Sequence, residues 1–70
     1  MLIEINEKII DLDKVEAITK DEYITYQDGI LYQIHFYSFG YAHTVWYKTK
    51  EERDKIFVDM VNKFKGVKNE

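Results

Sequence analysis

"YQIHFYSFGYAHTVWYK", residues 32–48, gathers four tyrosines, two phenylalanines, the only tryptophan and both histidines around one glycine. Side chains alternate across a strand, so placing one turn sorts the whole stretch into two faces. With Phe39-Gly40 as a two-residue turn, Ser38 opposes Tyr41. The ladder then runs Phe36 to His43, Ile34 to Val45 and Tyr32 to Tyr47, all on one face. The other face carries Leu31, Gln33, His35, Tyr37, Ala42, Thr44, Trp46 and Lys48. A slip of one residue would exchange the two sets. Phenylalanine is an unusual residue for the first central place of such a turn.

Working upstream, Asp28-Gly29 between β-branched and aromatic residues is the clearest hairpin signal. A two-residue loop pairs Gln27 with Ile30. A three-residue loop with Gly29 left-handed pairs Tyr26 with Ile30 and Ile24 with Tyr32. The second is preferred, because it keeps Ile24, Tyr26, Ile30 and Tyr32 on one face. Lys20-Asp21-Glu22 reads as a polar interruption, a bulge or bend between "KVEAIT" and "YITYQ". At the start, "LIEI" and "KIIDL" form a hairpin around Asn6-Glu7, with Leu2 and Glu4 on one side and Ile3 and Ile5 on the other.

Downstream, Thr49 and Glu52 have the spacing of a helix capping box. Ile56, Phe57, Met60, Val61 and Phe64 recur on one helical face. Acids (Glu51, Glu52, Asp54) open the segment and bases (Lys63, Lys65) close it, as the macrodipole favours. Gly66 is the expected stop. Each of those apolar side chains is worth about 1.5–3 kcal/mol if fully buried. The expected fold is α+β: a four- to five-stranded antiparallel meander with one C-terminal helix packed on one face. The whole chain, 1–70, is one domain: strands over about 1–48, the helix over about 50–65, and a short tail at 66–70.

Seventy residues build only a thin core, and the chain has no cysteine for a disulfide or thiolate metal site. The net charge of −3, with signs interspersed, lacks the basic footprint of a typical nucleic-acid binder. "MLIEINEK" has neither the basic nor the apolar region of a signal peptide, and no apolar run approaches bilayer length. The expectation is a cytoplasmic protein with no membrane association.

Chemistry-bearing constellations are sparse. The histidines fall on opposite faces with no third ligand near, so they make a poor metal pair. Asp11-Leu12-Asp13 lacks the further ligands and spaced glycine of a calcium loop, and reads as a solvated turn. Ser38, the only serine, sits near a hairpin tip without a nucleophile elbow. The three glycines form no phosphate loop. No catalytic residue, cofactor or metal is expected, and the chain is expected not to be an enzyme.

What remains is the outward sheet face, where Leu31, His35, Tyr37 and Trp46 form the candidate interaction surface. Two arrangements are open. The face meets a partner, a second copy being the first candidate, or the N-terminal hairpin curls over it into a small barrel-like core. Aromatic faces also stack bases, but a surrounding basic field is needed, and only Lys20, Lys48 and Lys50 are near.

Ile10, Leu12, Val15 and Ile18 supply an "I-x-L-x-x-V-x-x-I" segment, and Thr49 to Arg53 a "T-x-E-E-R" cap. With the opening hairpin, these resemble small uncharacterised bacterial and phage proteins in which a meander is closed by one C-terminal helix. The "HFYSFGYAHTVWY" hairpin is more aromatic than that pattern. The resemblance implies a fold and a prokaryotic or viral source, but no catalytic residues. The function expected is a non-catalytic, self-associating protein–protein interaction module, accessory or regulatory, acting through the outward sheet face or an exposed edge strand. The resemblance adds an inhibitor that blocks a host enzyme or defence protein, in the host cytoplasm. The aromatic face adds a single-stranded nucleic-acid binder.

Overall fold

The computed structural model describes residues 1–69. It is an α+β domain of five antiparallel strands and one C-terminal helix, as the sequence pattern requires. The strands divide into two sheets. A hairpin of β1 (Leu2–Ile5) and β2 (Lys8–Asp11) stands apart from a meander of β3 (Ala17–Thr25), β4 (Gly29–Ser38) and β5 (Tyr41–Tyr47). The helix α1 spans Lys50–Lys68.

The first hairpin turns at Asn6 and Glu7, both left-handed with φ of 49° and 67°. Ile5 lies opposite Lys8 and Ile3 opposite Ile10. The alternation buries Ile3, Ile5 and Ile10 and exposes Leu2, Glu4 and Ile9. The Asp11 carboxylate accepts from the Asp13 N–H at 3.0 Å, which sets a single 3-10 turn over Leu12–Lys14. That turn tucks Leu12 and Val15 fully into the core.

The β4–β5 register is the expected one: Ser38 faces Tyr41, Phe36 His43, Ile34 Val45 and Tyr32 Tyr47. Phe39 (φ 50°) and Gly40 (φ 83°) take the positive φ of a two-residue turn. The turn is anchored from below: Glu16 Oε1 accepts the Phe39 N–H at 2.8 Å, and the Ser38 hydroxyl donates to Lys14 O at 2.9 Å.

The β3–β4 register departs from expectation by two residues. Ile24 pairs with Ile30 and Thr25 with Gly29, so Tyr26 lies in the turn and stands free in solvent. The cause is Thr25. Its hydroxyl accepts from the Asp28 N–H at 2.8 Å and donates to Gly29 O at 3.0 Å, closing the turn one residue before Tyr26. A shift of two leaves every side chain on its expected face. Gly29 is left-handed as foreseen (φ 74°).

Lys20-Asp21-Glu22 does not interrupt the strand; β3 runs through it without a break. The three charges are accommodated by alternation. Lys20 and Glu22 reach towards the N-terminal turn of α1: Lys20 pairs with Asp54 at 3.2 Å, and Glu22 lies 3.9 Å from Arg53. Asp21 points to the other face.

Thr49 caps α1, its hydroxyl accepting from the Glu52 N–H at 3.2 Å. The helix continues through Gly66 to Lys68, with Asn69 as C-cap. Val67 packs partly against the core, and Lys68 donates to Asp13 O at 3.0 Å. These contacts oppose the roughly 1 kcal/mol helix penalty of glycine.

One core joins these elements. Ile3, Ile5 and Ile10 meet Leu12, Val15, Ile34, Phe36, Val45, Tyr47 and Met60, with Ile56, Phe57 and Phe64 packed against them. Every member from β4 and β5 belongs to the face predicted to look toward the helix. The first hairpin therefore packs into the core on the helix side of the meander, and among the described residues the outward face is left uncovered.

Candidate interaction surface

Three strands build the outward face in rows set by the pairing register. Tyr37 is flanked by Ala17 and Ala42, His35 by Thr19 and Thr44, Gln33 by Asp21 and Trp46, and Leu31 by Tyr23 alone. β5 ends at Tyr47 opposite Tyr32, so Leu31 and Tyr23 lie on a two-stranded arm that projects past it.

Tyr37 and Trp46 are exposed, at 38% and 49%, while Leu31 and His35 are half-buried between neighbours. The structure brings His35 and Tyr37 together, with ring centroids 6.1 Å apart. Trp46 stands apart from that pair, with Lys8 Nζ 5.8 Å from its ring. Leu31 belongs with Tyr23 instead. The four candidates share a face without forming one cluster.

A polar row that sequence reasoning missed links them. His35 Nδ1 meets the Thr44 hydroxyl at 2.8 Å, and its Nε2 meets Asp21 Oδ1 at 3.0 Å. With the Gln33 amide set by its partners, its nitrogen donates to Asp21 Oδ1 at 2.7 Å and its oxygen accepts from Trp46 Nε1 at 2.6 Å. Donors from β4 thus converge on one β3 carboxylate, and the indole N–H is already satisfied. Nothing in the alternation pattern announces this. It depends on which residues fall opposite one another across three strands.

Thr44, His35 and Asp21 have the connectivity of hydroxyl, base and orienting carboxylate. They lie on open sheet, and among the described residues there is no cavity and no group of three metal-ligating side chains. His43 is on the helix-side face, opposite Phe36, and exposed. No described helix is long and apolar enough to cross a membrane.

Arg53 is the other residue that reasoning missed. It is 3% exposed, yet charged. Its Nη1 donates to Asp21 O at 2.6 Å and its Nε to Asp54 Oδ1 at 2.7 Å, and its guanidinium lies 5.4 Å from the Tyr32 ring centroid. This clamp ties the helix start to β3 behind the outward face. A signal existed: Arg53 falls in step with Phe57, Met60, Phe64 and Val67, on the buried stripe of α1.

On the far edge, Asn6 Nδ2 donates to Trp46 O at 3.3 Å and Lys8 Nζ to Thr44 O at 2.9 Å. The Tyr47 hydroxyl donates to Asn6 Oδ1 at 3.3 Å. Burial, then the charge of Glu52, pushes the Tyr47 phenol above its ordinary value. The first hairpin thereby fixes β5 and the backbone beneath Trp46. No family model, no curated protein and no solved structure matches this chain.

Proposed function

We propose that this chain is a non-catalytic protein–protein interaction module, accessory or regulatory in role, that presents the outward sheet face to a protein partner and also self-associates. One observation carries the reading: the face is uncovered, and the polar groups between its exposed aromatics are already hydrogen-bonded to one another. A partner can cover Trp46 and Tyr37 without orphaning the indole N–H, His35 or Gln33, so the usual cost of burying unpaired polar groups is avoided. Tryptophan and tyrosine are the side chains from which interfaces draw most energy. The Asp21 carboxylate at the middle of the face opposes a phosphate backbone, which favours protein over nucleic acid.

The test is a variant carrying Trp46→Ala and Tyr37→Ala. It should keep its far-UV circular dichroism while losing a protein that the immobilised wild-type chain captures from its native cell extract. An unchanged set of captured proteins would refute the reading. So would loss of the fold, which would make these residues core.

A further inference from the structure

The two edges of the meander are unlike. On β5, the outward carbonyls of Thr44 and Trp46 are occupied by Lys8 and Asn6. On β3, nine residues, Ala17–Thr25, have a strand on one side only among the described residues and include no proline. An open edge of this length is a template for another strand.

The register of such pairing is constrained. The two-residue turn makes Ser38 and Tyr41 a hydrogen-bonded pair, so even residues of β4 bond to β5 and odd residues to β3. Ile18, Lys20, Glu22 and Ile24 therefore turn their N–H and C=O groups outward. A second antiparallel strand can use them only if even residues meet even residues. Three such registers keep most of the strand in contact. Centring on Lys20 sets lysine against lysine, and centring on Glu22 sets glutamate against glutamate. Centring on Asp21 sets Lys20 opposite Glu22, and Ile18 opposite Ile24, twice each.

We propose that a second copy of this chain pairs with β3 in that last register, about a two-fold axis at Asp21, to form one six-stranded sheet. The proposal deepens the self-association part of the reading above and leaves the outward face free. Ile24, 78% exposed in the single chain, gains an apolar neighbour. Lys20 and Glu22 keep Asp54 and Arg53 and add each other across the axis. The one opposing contact is Asp21 against its own copy. His35 and Gln33 draw each carboxylate back onto its own β4.

Sedimentation equilibrium of the full chain over a wide concentration range tests this. The wild type should dimerise. Lys20→Glu should weaken the dimer about tenfold, and adding Glu22→Lys should restore it, because both cross-axis pairs become attractive again. Asp21→Asn should tighten it. If Lys20→Glu does not fold, Ile24→Pro takes its place; its N–H lies outside the chain's own ladder, and it must yield a folded monomer. A dimer indifferent to these changes overturns the proposal. If that dimer falls apart with Trp46→Ala and Tyr37→Ala, self-association belongs to the outward face. A monomer at every concentration overturns the edge pairing and self-association together, and leaves partner capture by the face to stand or fall by itself.

Discussion

Along β4, neighbouring residues meet opposite fates. Ile34 and Phe36 are wholly buried, while Gln33, His35 and Tyr37, one step away each, remain partly in water. The helix-side face has α1 and the first hairpin stacked on it. Among the described residues the outward face has no element packed on it, and only the Lys8 side chain reaches its Trp46 from the edge. The domain places its stability on one side of the three-stranded meander and leaves the other side to hold its shape by a surface network of hydrogen bonds. Substitutions on the two faces should therefore differ in kind as well as in size.

The largest effect expected is at Phe36. Phe36→Ala should cost about 3–5 kcal/mol in urea unfolding, enough to unfold much of a domain this small. A loss under about 1 kcal/mol would mean that the two faces are not so different. Arg53 comes next. Arg53→Met keeps the stem that packs on Tyr32 but removes the hydrogen bonds to Asp21 O and Asp54, and should cost about 2 kcal/mol. Arg53→Lys should not recover it, because a lysine cannot supply the planar fork. An Arg53→Met protein as stable as wild type would mean that these hydrogen bonds do not hold the helix start to β3. On the outward face, Trp46→Ala with Tyr37→Ala should cost about 1 kcal/mol or less by the same measurement. A loss approaching that of Phe36→Ala would erase the contrast.

The smallest effect is electrostatic. The Arg53 hydrogen bond, then Lys20, holds Asp54 below its ordinary value of 3.8. A carboxylate lowered on folding stabilises the folded state above its unfolded pKa and loses that contribution as pH falls through the folded one. The urea midpoint should thus fall as pH drops below about 4, and less steeply in Arg53→Met. Equal slopes in the two proteins would detach Asp54 from the clamp.

Much of this contrast is legible in the residues themselves. The parity of Ile34 and Val45 against His35 and Trp46 follows from one turn at Phe39-Gly40, and Thr49 marks the helix start. The less legible features all depend on partners distant in sequence. Thr25 closes a turn that Asp28-Gly29 only announces. Lys20 and Glu22 look like breakers until α1 supplies Asp54 and Arg53. Val67 carries the helix past Gly66. The outward polar row exists only once β3, β4 and β5 are in register, because Asp21, His35 and Thr44 are 14 and 9 residues apart along the chain. Periodicity records which face a side chain takes, but not which neighbour it finds there.

Trp46 is the only tryptophan, so its fluorescence reports on the bare face alone. The most direct measurement is acrylamide quenching of that fluorescence in dilute folded protein, set against the urea-unfolded chain. With Trp46 exposed on the open face, acrylamide should quench it readily in the folded protein, short of the unfolded value. An indole that acrylamide cannot reach in the dilute protein would place it under cover, and the sheet would have two buried faces instead of one.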